Sequence, residues 1–178
     1  KADSTNPLKI QAHQLKILGS GGEERFQLQS EGNANPGVFM VKDDTETTKV
    51  QLNSSGSSYF KGGNVGIGAT PVAMHADNSL LQVGSTGTIF SQTASAAGKS
   101  LYIGQNVFRH TDGTWDTIVE DEQTLYEQHG GGHYFYSGAS HASVSTLVTN
   151  MKIDINSRIS LSNNDSSGAV GTTLFGYQ

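Results

Sequence analysis

Cysteine is absent from the chain, and proline, methionine and tryptophan number only three, three and one. The missing cysteine excludes disulfide scaffolds, thiolate zinc sites and cysteine nucleophiles, and it leaves the redox compartment open. Basic residues are scarce too. Eleven Lys plus Arg face 16 Asp plus Glu, a formal net charge of −5 with no basic cluster, so nucleic acid is disfavoured as a partner. No apolar run approaches the ~18 to 20 residues of a membrane span, and Lys1-Ala2-Asp3-Ser4 lacks the apolar stretch of a signal peptide. The chain therefore reads as soluble, without membrane insertion. Leu, Ile, Val and Phe supply 39 of the 178 residues, whereas Gly, Ser, Thr, Asn and Gln supply 81. So little apolar material does not fill a three-layer α/β core. What remains is a thin or elongated β structure, or one whose core is completed by other chains.

The apolar residues that are present fall in short period-two runs: Leu8 and Ile10, Leu15 and Ile17, Phe26 and Leu28, Val38 and Met40, Val50 and Leu52, Val65 and Ile67. This alternation predicts strands of about four to six residues. Turn-forming clusters separate them at residues 19–22, 32–37, 54–58 and 62–64. Weak helical character is confined to residues 71–77 and 119–127, and the second reads equally as an acidic turn entering a strand. Residues 50–68 and 151–162 resemble each other, each running from an apolar strand through an Asn, Ser or Gly turn into a short second strand. The second strands compare as Asn64-Val65-Gly66-Ile67-Gly68 against Arg158-Ile159-Ser160-Leu161-Ser162. Alternating apolar and small residues imply that one face packs while the other stays slim for close backbone approach. Val65, Ile67, Ile159 and Leu161 are accordingly placed on faces that contact other chains.

The string FKGGNVGIGATP at residues 60–71, SLLQVG at 79–84 and the glycine-rich ending MKIDINSRISLSNNDSSGAVGTTLFGYQ at 151–178 resemble the repetitive distal part of phage tail fibres and related trimeric virion proteins. The resemblance covers most of the chain. It implies an all-β, elongated homotrimeric fibre segment carried on the virion, with other tail proteins and a host cell-surface glycan or receptor as partners. In that family a cleaved C-terminal chaperone often follows. None is visible here, and Phe175-Gly176-Tyr177-Gln178 reads as the start of another repeat. On this basis residues 1–68 are expected to form a thin β stalk, 69–162 a small β-rich domain with eight aromatic residues, and 163–178 a polar linker.

Three clusters invite a chemical reading. The acidic residues Asp112, Asp116, Glu120, Asp121, Glu122 and Glu127 would suit a tailspike-like polysaccharide depolymerase if two faced each other, since glycosidases use paired carboxylates; a solvated acidic loop is the simpler expectation. His129-Gly130-Gly131-Gly132-His133 suggests a metal pair, but three glycines disfavour the helix that would align the two imidazoles, and an extended strand separates them by ~13 Å. No metal ligand, cofactor or nucleophile is assigned, and an enzyme is not expected. Trp115, in the turn-like Asp112-Gly113-Thr114-Trp115-Asp116, and Tyr126, Tyr134 and Tyr136 are candidates for stacking on sugar rings. Tyr134 and Tyr136 flank Phe135, so a strand there carries both tyrosines on one face. The expected function is a structural, receptor-facing segment of a trimeric tail fibre. A depolymerase and a bacterial trimeric adhesin stalk are the alternatives.

Overall fold

A computed structural model describes residues 14–29, 37–94, 96–140 and 146–161 and the strand at 172–175. The strand expected around Leu8 and Ile10, most of the turn at 32–37 and the bulk of the linker lie outside the described residues. The fold is all-β. Its strands are β1 (Gln14–Leu18), β2 (Glu24–Gln29), β3 (Val38–Lys42), β4 (Thr48–Asn53), β5 (Tyr59–Phe60), β6 (Val65–Ile67), β7 (Asn78–Val83), β8 (Gly87–Gln92), β9 (Leu101–Gln105), β10 (Phe108–Arg109), β11 (Trp115–Asp116), β12 (Gln123–His129), β13 (Gly132–Gly138), β14 (Val148–Ile153), β15 (Ile159–Leu161) and β16 (Thr172–Phe175). Among the described residues there is no helix: residues 71–75 are irregular, and the acidic run is a turn that enters β12. The chain forms two compact units, Lys1–Gly62 and Gly63–Gln178.

The first unit is a five-stranded antiparallel meander in the order β1-β2-β3-β4-β5. Its register aligns Leu15, Leu28, Phe39 and Leu52 in one cross-strand row and Ile17, Phe26, Val41, Val50 and Phe60 in the next. Because side chains alternate with period two, both rows lie on one face. The neighbouring row, on the other face, holds Lys16, Gln27, Met40, Gln51 and Tyr59. Polar contacts knit that side together: Lys16 and Lys42 both bond the Glu24 carboxylate, and Tyr59 donates to Gln51 Oε1 at 3.2 Å. The apolar face has no such cover, and Ile17 and Phe60 are 55% and 58% exposed.

The second unit contains a nine-stranded sheet ordered β16-β15-β14-β13-β12-β9-β8-β7-β6, with β10 and β11 as a separate hairpin. Every pairing is antiparallel except β6 with β7. One face is covered. Leu80, Phe90, Tyr102 and Leu125 form a buried core with Met74, Val107 and Phe108, and Val72, Trp115, Ile118 and Leu147 pack against it. Buried amides fasten this cover to the sheet. Asn106, fully buried, donates through Nδ2 to the carbonyls of Val119, Asp121 and Glu122 and accepts from the N–H groups of Ile118 and Val119. Gln82 accepts from Val72 N–H, and Asn64 donates to Val72 C=O and accepts from Leu80 N–H.

Among the described residues nothing covers the opposite face. There the register lines up Val65, Leu81, Ile89, Ile103, Tyr126, Phe135 and Met151 in a single row across seven strands. Ile67 and Val83 share that face on one side of the row, and Leu101, Ile153 and Ile159 on the other. Ile67, Val83, Ile89, Leu101 and Ile103 are all exposed, Ile103 by 45%.

One turn type recurs four times. In the segments 19–23, 43–47, 110–114 and 154–158 the first residue donates to the carbonyl of the fifth, and the fourth donates back to the first. The fourth residue has positive φ in each: Gly22, Glu46, Gly113 and Ser157. This is the three-residue hairpin loop of a type I turn closed by a left-handed residue. The similarity between residues 50–68 and 151–162 also takes a definite form. Val50 pairs with Phe60 and Gln51 with Tyr59, just as Met151 pairs with Leu161 and Lys152 with Ser160. The counterpart of β15 is thus β5, whereas β6, matched to it in the sequence, pairs with β7 instead. The slim face of β6 is nonetheless real, because a Cβ on Gly66 would overlap the Ala69 carbonyl and crowd Pro71. The close backbone belongs to this same chain.

Candidate functional site

The covered face of the second unit carries a cleft, and it is built from the β10–β11 hairpin upward. Asp112 accepts from Thr114 N–H at 2.9 Å and Thr114 Oγ1 at 2.7 Å, bonds that together with His110 hold its carboxyl down at about 2. Gly113, at φ 86°, supplies the left-handed residue that closes the turn. The turn therefore ends before Trp115, which lies on β11 opposite Arg109 rather than in the loop. The stretch from Asp112 to Asp116, turn-like in the sequence, thus gives Trp115 a strand partner. Its ring stands edge-on to Tyr102 at 5.4 Å and tilted to Phe90 at 6.1 Å, with the Arg109 guanidinium 5.0 Å from its centroid.

Next to Trp115 opens a cleft of about 340 Å³ lined by Trp115, Leu125, Glu127, Tyr136, Thr146 and Leu147. Leu125 and Tyr136 are cross-strand partners on β12 and β13, and Glu127 lies two residues along the same face. Ser100 Oγ donates to Glu127 Oε1 at 2.7 Å and Tyr136 OH to Glu127 Oε2 at 2.7 Å. Burial, reinforced by the bond to Glu127, pushes the Tyr136 phenol well above the ordinary tyrosine range, and burial likewise raises Tyr102. The Ser100 hydroxyl also lies 2.9 Å from His129 Nδ1.

The four aromatic candidates divide by face. Trp115 and Tyr136 meet at the cleft. Tyr134 lies on the same side, stacked on Tyr136 at 6.2 Å, with Lys152 Nζ 5.0 Å from its ring centroid. Tyr126 lies on the bare face, packed on Phe135 at 5.0 Å and bonded through its hydroxyl to His133 Nδ1 at 2.6 Å, so it does not reach the cleft. Val65, Ile67 and Ile159 lie on the bare face, and Leu161 pairs with Met151 in the same row.

The two histidines also part company. Gly130 and Gly131, with φ 56° and 76°, make a tight hairpin turn that sends His129 and His133 to opposite faces. Among the described residues no group of three His, Asp or Glu is placed to hold a metal ion. Half of the acidic run serves backbone: Asp112, Asp116 and Asp121 accept from the N–H groups of Thr114, Thr117 and Glu122, and Glu127 alone of the six lines the cleft.

Ser100, Arg109 and Asn106 also contribute here without standing out in the sequence. No residue pattern marks them, since a buried asparagine that binds five backbone groups reads in sequence like any other loop asparagine. Comparison of the chain with protein-family models, curated proteins and solved structures finds no match.

Proposed function

We propose that this chain is a structural, receptor-facing segment of a phage tail fibre that assembles as a homotrimer, with the bare sheet faces turned inward against one another. The observation that carries the reading is the in-register apolar row from Val65 to Met151, with its five exposed aliphatic neighbours and members. Monomeric proteins rarely expose a contiguous apolar surface of this extent. A single sheet with one naked apolar face gains its stability by packing against another layer. Copies of the same chain supply such a layer, and a closed threefold ring repeats one heterologous contact between successive copies. The covered face, with its cleft, then points outward toward the host surface. The likeness of residues 60–84 and 151–178 to tail fibres supplies the virion setting. A depolymerase gains no support from the carboxylates, three of which bond backbone N–H groups and only one of which lines the cleft.

The test is Ile103→Asp. A charge forced into an apolar contact costs several kcal/mol in each copy, so this variant should run as a monomer in light scattering while the parent runs as a trimer. An Ile103→Asp protein that assembles and melts like the parent would show that this face is not the interface.

A further inference from the structure

We propose that the cleft formed by Trp115, Tyr136 and Glu127 binds an organic ammonium group, with the charged nitrogen against the Glu127 carboxylate and beside the two aromatic rings. The Glu127 side chain is half-buried, and its oxygens accept from the neutral hydroxyls of Ser100 and Tyr136. Among the described residues no Lys, Arg or His forms an ion pair with it, although seven such pairs occur elsewhere. A half-buried carboxylate with no counter-charge gains from a cation brought beside it. The cleft brings together the two ingredients of cation recognition: a carboxylate without an ion-pair partner, and the aromatic side chains of Trp115 and Tyr136, a class whose ring faces attract cations within ~6 Å. Of the basic groups nearby, the Arg109 guanidinium lies against the Trp115 ring and Lys152 Nζ against Tyr134, and among the described residues neither forms an ion pair with Glu127. An acidic sugar would meet Glu127 as a like charge, and a neutral one would leave it uncompensated. At about 340 Å³ the cleft admits one saccharide ring or one lipid-type headgroup. The shared chemistry is that of a hexosamine with a free amine or of a choline group. That such a ligand belongs to a host surface rests on the receptor-facing reading; the ammonium chemistry stands on the cleft alone.

Trp115 is the only tryptophan in the chain, so intrinsic fluorescence reports on this cleft directly. Titration of the full chain with glucosamine, choline and N-acetylglucosamine should give a saturable change with at least one of the two ammonium compounds. Binding of N-acetylglucosamine should be at least tenfold weaker, because acetylation removes the charge. Whichever ammonium compound binds more tightly tells amino sugar from choline headgroup. Glu127→Gln should weaken ammonium binding at least tenfold, with the near-ultraviolet circular dichroism and the oligomeric mass unchanged. N-acetylglucosamine binding as tightly as glucosamine, or no saturable response to either ammonium compound, overturns the proposal. These comparisons need only the parent chain, so they decide the matter even if the variant fails to fold. A chain that binds ammonium as a monomer removes the trimer and keeps the site; a trimer that binds neither compound does the reverse.

Discussion

The two units solve the same problem to different degrees. Both are built on antiparallel meanders with one face of aligned apolar residues, and both contain a strand–turn–strand hairpin in the same register. The second unit covers its other face with an inserted layer and so gains a buried core of Leu80, Phe90, Tyr102, Val107 and Leu125. Among the described residues the first unit has no such insertion. Its most buried described side chain is the polar Gln27, and its second face is knit by Lys, Glu, Gln and Tyr contacts. The second unit therefore holds a buried core of its own, whereas among the described residues of the first no apolar side chain is fully buried.

The largest effects should come from charges placed on the two apolar faces. Leu28→Asp in the first unit and Ile103→Asp in the second should both abolish assembly, at several kcal/mol per copy. They should differ in what survives. Ile103→Asp should keep the near-ultraviolet dichroism of Trp115, because the core around that residue is internal to the chain, while Leu28→Asp should lose protection of β1–β5 amides from hydrogen exchange. Equal loss of structure in both variants would erase the distinction between the units.

Truncation of the aromatic core comes next. Phe90→Ala removes a ring stacked on Tyr102 at 4.7 Å and should cost about 3 to 5 kcal/mol, read as a lower denaturant midpoint. Phe39→Ala, packed edge-on to Phe26 at 4.8 Å, should lower the midpoint less, because that side chain is only half-buried within the chain. Asn106→Ala should cost about 3 kcal/mol, because several buried backbone groups lose their partner together. Its signature is proteolytic nicking between residues 117 and 122.

Smaller still are the turn effects. Asp43 is held below the ordinary carboxylate range first by Lys49 and then by Thr45, Asp112 first by Thr114, and Asp154 first by Arg158. For depressed carboxylates the stabilisation is complete above the unfolded value of 3.8 and fades as pH falls through the folded one. Melting temperature should thus be level from pH 7 to about 5 and fall below about 4, with Asp154→Asn flattening part of the fall. The smallest change is Ser157→Gly at φ 61°, which should stabilise by about 0.5 to 1 kcal/mol by relieving left-handed strain. Glu46→Gly, also at φ 61°, should gain less, because the Glu46 carboxylate accepts from Glu24 N–H at 3.1 Å.

These contrasts also show what was legible in the sequence. Strand alternation was plain wherever neighbouring strands follow one another, so Phe26 and Leu28 or Val50 and Leu52 point to their faces without a structure. Gly66 announced a close approach, and the pairing of Tyr134 with Tyr136 on one face followed from period two. What the sequence hides is non-local. Whether the backbone near Gly66 belongs to this chain or another depends on the loop through Ala69 and Pro71. The pairing of β9 with β12 skips a hairpin, which is why Trp115 read as a loop residue when it is a strand residue packed on Phe90 and Tyr102. The cleft was half visible: Trp115 and Tyr136 were named, but Glu127 stood in an acidic run where nothing distinguished it from its turn-capping neighbours.

The most direct test of the account is the mass of the intact chain in solution, measured by light scattering at low micromolar concentration. If the apolar rows of both units are closed by copies of the chain, the mass is three times 18.8 kDa, about 56 kDa, and it falls only as the protein unfolds. A folded, stable monomer of 18.8 kDa would contradict that claim.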